Sequence, residues 1–246
     1  MNSLIILPFE CVDTTCAVLQ NNRASYAFGT HGIRVGQRLR VAVMGGLRGT
    51  GLVTESSAER VVLTIELSKA AIAHRSVDLI VGVSRPQTVK KVIQAAVMLG
   101  VRSLHFVSSE QGEKSYLQST ALEPEGIQEE TIKALEQVWD SRVPEICVHR
   151  SFEYFLKNRL SAIAPSEASL RIVAHPNGKE LNLEQHHSSN TAAVVAIGPE
   201  RGWSSREIEL LEAQGFRLTG LGERVLRVEV ALTFLLGQLE LLLPTA

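Results

Sequence analysis

The chain has 246 residues, 45% of them hydrophobic, and its 25 Lys+Arg nearly balance 26 Asp+Glu, for a formal net charge of -1. This is enough for a good core in one or two domains, and it excludes both a disordered chain and a general attraction to polyanions. Three cysteines, Cys11, Cys16 and Cys147, fit neither a zinc ribbon nor a redox pair, and no basic lead-in, apolar run and cleavage site open the chain; a reduced, cytoplasmic setting without metal is expected.

Residues 1–72 read as short strands. The segments 38–44 (RLRVAVM) and 60–65 (RVVLTI) are strand-like, glycine pairs punctuate turns, and little favours a helix. A small barrel of five or six strands is the natural solution. From 21 to 50 the chain carries Arg23, Arg34, Arg38, Arg40 and Arg48 and no acidic residue. Such a one-sided stretch suits a nucleic-acid backbone, although a solvated β face explains it equally well.

From Val77 the rhythm changes, and residues 73–246 read as a second domain. A buried strand (77–83), a helix opening near Pro86 and closing at Gly100, and a strand (101–107) form a βαβ unit. The polar stretch 108–124 is long for a connector and is therefore a candidate for function. Helix (126–139), strand (144–148), helix (152–163) and strand (170–174) follow, the alternation of an α/β domain. The leucine-rich tail 228–243 carries Glu229, Gln238 and Glu240 and is short for a membrane span, so it reads as a core or interface helix.

The most informative stretch is 193–227. An apolar run (193–197) ends in Gly198-Pro199-Glu200-Arg201-Gly202, where glycines permit positive φ and close approach of backbone. Ser204 and Glu207 have the spacing of a capping box, Trp203 and Ile208 that of a hydrophobic staple, and Gly215 is the expected stop. A strand (216–221) then leads into a second glycine-marked loop (222–227). Two loops leaving two strand ends are where an open α/β sheet binds a ligand. G-x-G-x-x-G, P-loop and G-x-S-x-G patterns are missing. His186 and His187 lack a partner motif and read as surface residues.

The segments Ile197-Gly-Pro-Glu-Arg-Gly-Trp203 and Leu221-Gly-Glu-Arg-Val-Leu-Arg-Val-Glu-Val-Ala231 resemble the signature of the RsmE family. Those are 16S ribosomal RNA (uracil-N3) methyltransferases of the SPOUT, or α/β-knot, class. Glu136-Gln137 with Arg142-Val-Pro144, and Ala174-His175-Pro176, also match family patterns. Val230 stands where relatives commonly have threonine, and Arg201 where glycine is commoner. The resemblance implies an α/β fold with a trefoil-knot methyltransferase domain, preceded by a PUA-like, RNA-binding β-barrel. It implies a homodimer, small-subunit ribosomal RNA as partner, and S-adenosylmethionine as cofactor. The implied cofactor residues are Ala174, His175, Ile197, Gly198, Pro199, Glu200, Gly202, Leu221, Gly222, Val225 and Leu226. Arg227 and Arg201 would stabilise a developing uracil anion, and Glu229 or Glu200 would take the N3 proton. The rival readings are a SPOUT enzyme acting on a ribose 2′-O or another base, and a non-catalytic RNA-binding ribosome-assembly factor.

Overall fold

A computed structural model describes residues 3–164, 169–180 and 192–242; His186 and His187 lie outside them. The residues group into two compact units, Met1–Ala73 with Thr131–Val143, and His74–Glu130 with Pro144–Ala246.

The first unit is built on β1 (Leu4–Ile6), β2 (Cys16–Gln20), α1 (Asn21–Ser25), β3 (Arg38–Val43), β4 (Arg48–Ser56) and β5 (Arg60–Lys69). The strands form one five-stranded sheet in the order β1-β3-β4-β5-β2, antiparallel except for β1 on β3. Alternate residues face inward, as period-2 patterning requires, and Leu4, Ile6, Leu19, Val41, Val53, Leu63 and Ile65 meet in its core. The strand-only expectation fails between residues 21 and 30. There α1 runs into one turn of π-helix, Tyr26–Thr30. Its Ala24 and Ala27 are buried in the same core with Ile33, and this tertiary burial outweighs weak local propensity.

The second unit contains β6 (Val77–Gly82), α2 (Pro86–Met98), β7 (Ser103–Val107), α3 (Pro124–Val138), β8 (Glu145–His149), α4 (Phe152–Asn158), α5 (Leu160–Ile163), β9 (Ser169–Glu180), β10 (Ala192–Ile197), α6 (Ser205–Ala213), β11 (Arg217–Gly220) and α7 (Val228–Glu240). The residues of α3 from Thr131 onward group with the first unit. Six strands pair in parallel in the order β11-β9-β10-β6-β7-β8. Both faces of β6 and β7 are buried throughout, which is why these strands are mostly apolar rather than alternating; their polar residues Asp78, Ser103 and His105 are buried and hydrogen-bond to one another.

Two expected elements differ in extent. The helix expected over 152–163 is broken at Arg159, and the Asn158 side-chain amide donates to the Tyr154 carbonyl at 2.9 Å. That bond competes with continuation of the backbone ladder. The strand expected over 170–174 continues to Glu180 because its outer half pairs with β11, Thr219 against Lys179 and Gly220 against Glu180, after a register shift at Leu218/Thr219. Among the described residues, no helix is long and apolar enough to cross a membrane.

Candidate functional site

Strand order dictates where a site can form. The chain lays β6, β7 and β8 outward in one direction, then returns to place β10 on the other side of β6. In an open parallel sheet the crevice beyond the carboxyl ends of the strands at such a reversal is the usual ligand site. Here Ile197 at the end of β10 is in register with Val81 near the end of β6. A cavity of about 710 Å3 opens beyond these ends, walled by the loops that follow β10 and β11, by the start of α2, and by the first turn of α7. Such a volume accommodates a nucleoside-sized ligand.

Two backbone features shape the loop after β10. A side chain at Gly82 would place Cβ 2.4 Å from Cδ of Pro199, so only glycine lets the loop cross the end of β6 this closely. Gly202 has φ +76°, a conformation that an L side chain adopts only under strain. The chain then enters α6 through a complete capping box. Ser204 Oγ accepts from the Glu207 amide at 3.1 Å, and the Glu207 carboxylate accepts from the Ser204 amide at 2.8 Å. The same buried carboxylate accepts from Ser109 Oγ at 3.0 Å and the Glu110 amide at 2.9 Å. It thus anchors the long polar connector 108–124, none of whose residues lines the cavity. Trp203 is buried in the core with Phe152, and Ile208 packs against that cluster.

The cavity wall brings together Ala174, His175, Ile197, Gly198, Pro199, Glu200 and Gly202 with Leu221, Gly222, Val225 and Leu226. Arg201, Arg227 and Glu229 share it. The two carboxylates are engaged. Glu200 accepts from the Arg85 amide at 3.1 Å and the Thr88 hydroxyl at 2.9 Å, with the Arg85 guanidinium 3.4 Å away. Burial works to raise its pKa, but these donors and its own backbone amide win and hold it below the usual carboxylate range. Glu229 accepts from Lys91 at 3.0 Å. Burial is again outweighed, by its own amide, by Lys91 and by Arg227, so its pKa is also lowered. The side chains of Arg201 and Arg227, by contrast, are exposed and make no hydrogen bond or ion pair among the described residues, and Arg227 acts on Glu229 only through its charge. The site therefore presents two guanidinium groups free of hydrogen bonds beside two ionised, hydrogen-bonded carboxylates.

Sequence reasoning missed Arg85, Thr88 and Lys91, which line the cavity from α2. They stand more than 100 positions from their partners, and only the β6–β10 pairing joins them. The available signal was Pro86, which placed a helix start directly after a buried strand.

The arginines of the first unit differ among themselves. Arg23 is tied to Glu10 at 3.1 Å and to the Ile5 carbonyl. Arg48 donates to the carbonyls of Ala70 at 2.9 Å and Trp139 at 3.0 Å. Arg34 is exposed and donates to the carbonyls of Phe28 and Ile33. Arg40 lies 4.7 Å from the centre of the Trp139 ring, which Arg48 and Lys69 also approach. Arg38 is exposed and has no partner among the described residues.

The donor set of the cavity suits an adenosine-like cofactor. Among the described residues no backbone hydrogen bond ties residues 222–226, so their amides and carbonyls are available to a ligand. The indole N–H of Trp203, a residue of the wall, is buried without an acceptor.

A family model described as RNA methyltransferase domain matches residues 73–240. The chain is 26% identical over 232 residues to "Ribosomal RNA small subunit methyltransferase E" of Treponema pallidum, covering 93% of this chain and 87% of that protein. The structure resembles a Ribosomal RNA small subunit methyltransferase E from Neisseria gonorrhoeae bound to S-adenosyl methionine, with TM-score 0.77, 21% identity and 98% of each chain covered. It also resembles a putative methyltransferase from Legionella pneumophila in complex with the same cofactor, with TM-score 0.75, 19% identity and 98% of each chain covered. The architecture accordingly fits a PUA-like barrel followed by a SPOUT α/β domain.

Proposed function

The chain belongs to the RNA methyltransferase family, and on that premise we propose that it is an RsmE-type enzyme that methylates N3 of a uracil in 16S ribosomal RNA with S-adenosylmethionine. The observation that carries the reading is the crevice at the β6/β10 reversal, with its unbonded loop backbone and two open arginines.

When bound, the cofactor supplies an electrophilic methyl group on a sulfonium. The loops at residues 197–202 and 221–226, with Ala174 and His175, would hold its adenosine part through backbone groups in an apolar slot. Holding both reactants in one crevice makes the reaction effectively unimolecular. Uracil N3 carries a proton that must leave as the methyl group arrives, and negative charge then spreads over O2 and O4. Arg227 and Arg201 answer that charge. Glu200 and Glu229 are held ionised by Arg85, Thr88 and Lys91, which makes them weak acceptors for the N3 proton. Their role is to position the loop and the Arg227 turn, while the arginines stabilise the uracil anion and the N3 proton passes to solvent water.

The first unit (residues 1–72 in the sequence reading) would bring RNA to the second (residues 73–246). Of the five arginines between residues 21 and 50, Arg34, Arg38 and Arg40 are exposed, whereas Arg23 and Arg48 are held by internal acceptors. N3 is hidden in a base pair, so single-stranded or splayed-out RNA is the substrate form. Helix α7 exposes Val230 and Phe234, and Leu241 follows exposed at its C-cap, a face that suits a homodimer; a cytoplasmic location follows from the substrate.

Arg227→Ala tests the assignment. It should lower kcat at least 100-fold while cofactor affinity, measured by calorimetry, changes less than threefold. Unchanged kcat would remove Arg227 from the chemistry.

A further inference from the structure

Away from the cavity, β7 and β8 bring three side chains together on one sheet face. His105 and Cys147 are register partners, and Val107 is the partner of His149. One ligand atom from each of His105, Cys147 and His149 lies within 4.8 Å of the others. We propose that these three residues form a transition-metal site for Zn2+, with the fourth position taken by Glu145 or water. Linear spacing could not show it, because 42 positions separate the two strands' contributions (147 minus 105) and only parallel register unites them.

The geometry is close to what the ion needs. His105 Nδ1 and His149 Nε2 are 3.1 Å apart, and two nitrogens on tetrahedral Zn2+ stand about 3.3 Å apart for bonds of about 2.05 Å. The Glu145 carboxylate lies 3.4 Å from Cys147 Sγ, so a small movement of one exposed side chain completes four ligands.

A chain of side chains also fixes the His105 tautomer. Arg102 pairs with Asp78. Ser103 Oγ donates to Asp78 Oδ1 at 2.6 Å. The Ser103 hydroxyl hydrogen is thereby used, so its oxygen accepts from His105 Nε2–H at 3.0 Å. Nδ1 is left without a hydrogen, as the acceptor facing His149 Nε2 at 3.1 Å. Metal-binding histidines are oriented by such outer hydrogen bonds. Phe155 covers both rings, with centroids 5.4 Å from His105 and 4.7 Å from His149, and walls the site on its apolar side. Cys147 and His149 are only half-buried, which leaves an entry path. None of the three residues lines the cavity.

The test is Co2+ titration of metal-stripped full-length protein, followed by competition with Zn2+. The wild type should take up one equivalent of Co2+, with a near-ultraviolet thiolate-to-metal band and tetrahedral visible bands that Zn2+ abolishes. Cys147→Ser should lose the near-ultraviolet band, and His149→Asn should weaken binding at least tenfold. Ser103→Ala should weaken it roughly 10–100-fold through the lost outer bond. Both half-buried variants should keep the wild-type circular dichroism and cofactor affinity, which separates loss of metal from loss of fold. Failure of the wild type to bind Co2+ or Zn2+ at micromolar concentration would overturn the site, as would spectra and affinity unchanged in a Cys147→Ser, His149→Asn double variant.

Discussion

Replacing Glu136 by Gln should remove a specific pH dependence from the stability of the first unit. The Glu136 side chain is only 3% exposed, one carboxylate oxygen lacks a partner, and the other is 3.6 Å from His31 Nε2. Burial, opposed by Arg23 and the Ile5 amide, pushes the carboxyl from 4.5 up to about 7. Burial also lowers His31, so both shifts disfavour an ion pair. A carboxyl with a raised folded pKa keeps a proton that the unfolded chain has released. Its contribution is therefore fully present below 4.5 and is lost as pH rises through 7. Between pH 5 and 8 the loss amounts to roughly 2–3 kcal/mol at about 1.36 kcal/mol per pKa unit. His31 contributes with the opposite sign, so the readout is the difference between the parent protein and the Glu136→Gln variant. The chain has 2 tryptophans, and in a Trp203→Phe background Trp139 reports on the first unit alone. Urea unfolding followed by its fluorescence should show the parent losing that much more stability than Glu136→Gln between pH 5 and 8. Parallel pH profiles would refute a protonated buried carboxyl.

The cavity loops make further predictions. Gly82→Ala drives a methyl group into Pro199; it should cost about 1–3 kcal/mol and weaken cofactor binding at least tenfold by calorimetry, with far-ultraviolet circular dichroism unchanged. Glu200→Gln gives up charge-assisted bonds to Arg85 and Thr88 and should lower stability by about 1 kcal/mol at pH 7. Because the Glu200 pKa is depressed, that difference should persist above about pH 4.5 and vanish as pH falls through the folded value. Arg38→Ala with Arg40→Ala should weaken RNA binding uniformly across sequences and flatten the salt dependence by about 0.7 per lost phosphate contact on a single strand, measured by fluorescence anisotropy.

How much of this was legible in the sequence depended on whether the cause was local. The Ser204–Glu207 capping box and the Gly215 stop could be read directly, since cap chemistry lies within one turn. The buried strands announced themselves because parallel strands covered on both faces are predominantly apolar, even where Asp78, Ser103 and His105 interrupt β6 and β7. The two cavity loops were legible as glycine-marked exits from strands and, more sharply, as motifs resembling a family. What was hidden rested on register. Arg85, Thr88 and Lys91 reach the cavity because β6 neighbours β10, and His105 meets Cys147 because β7 neighbours β8. The helical segment 21–30 was missed because burial of Ala24 and Ala27, rather than propensity, holds it, and the outer half of β9 because β11 supplies its partner.

The most direct test of the central claim is methyl transfer. Labelled S-adenosylmethionine would be incubated with this protein and with small ribosomal subunits or free ribosomal RNA from cells lacking it, followed by nucleoside analysis. The account predicts label in N3-methyluridine at a single position of 16S ribosomal RNA. Label on a ribose or on another base would contradict the proposed target, and no transfer together with no cofactor binding would contradict the enzyme itself.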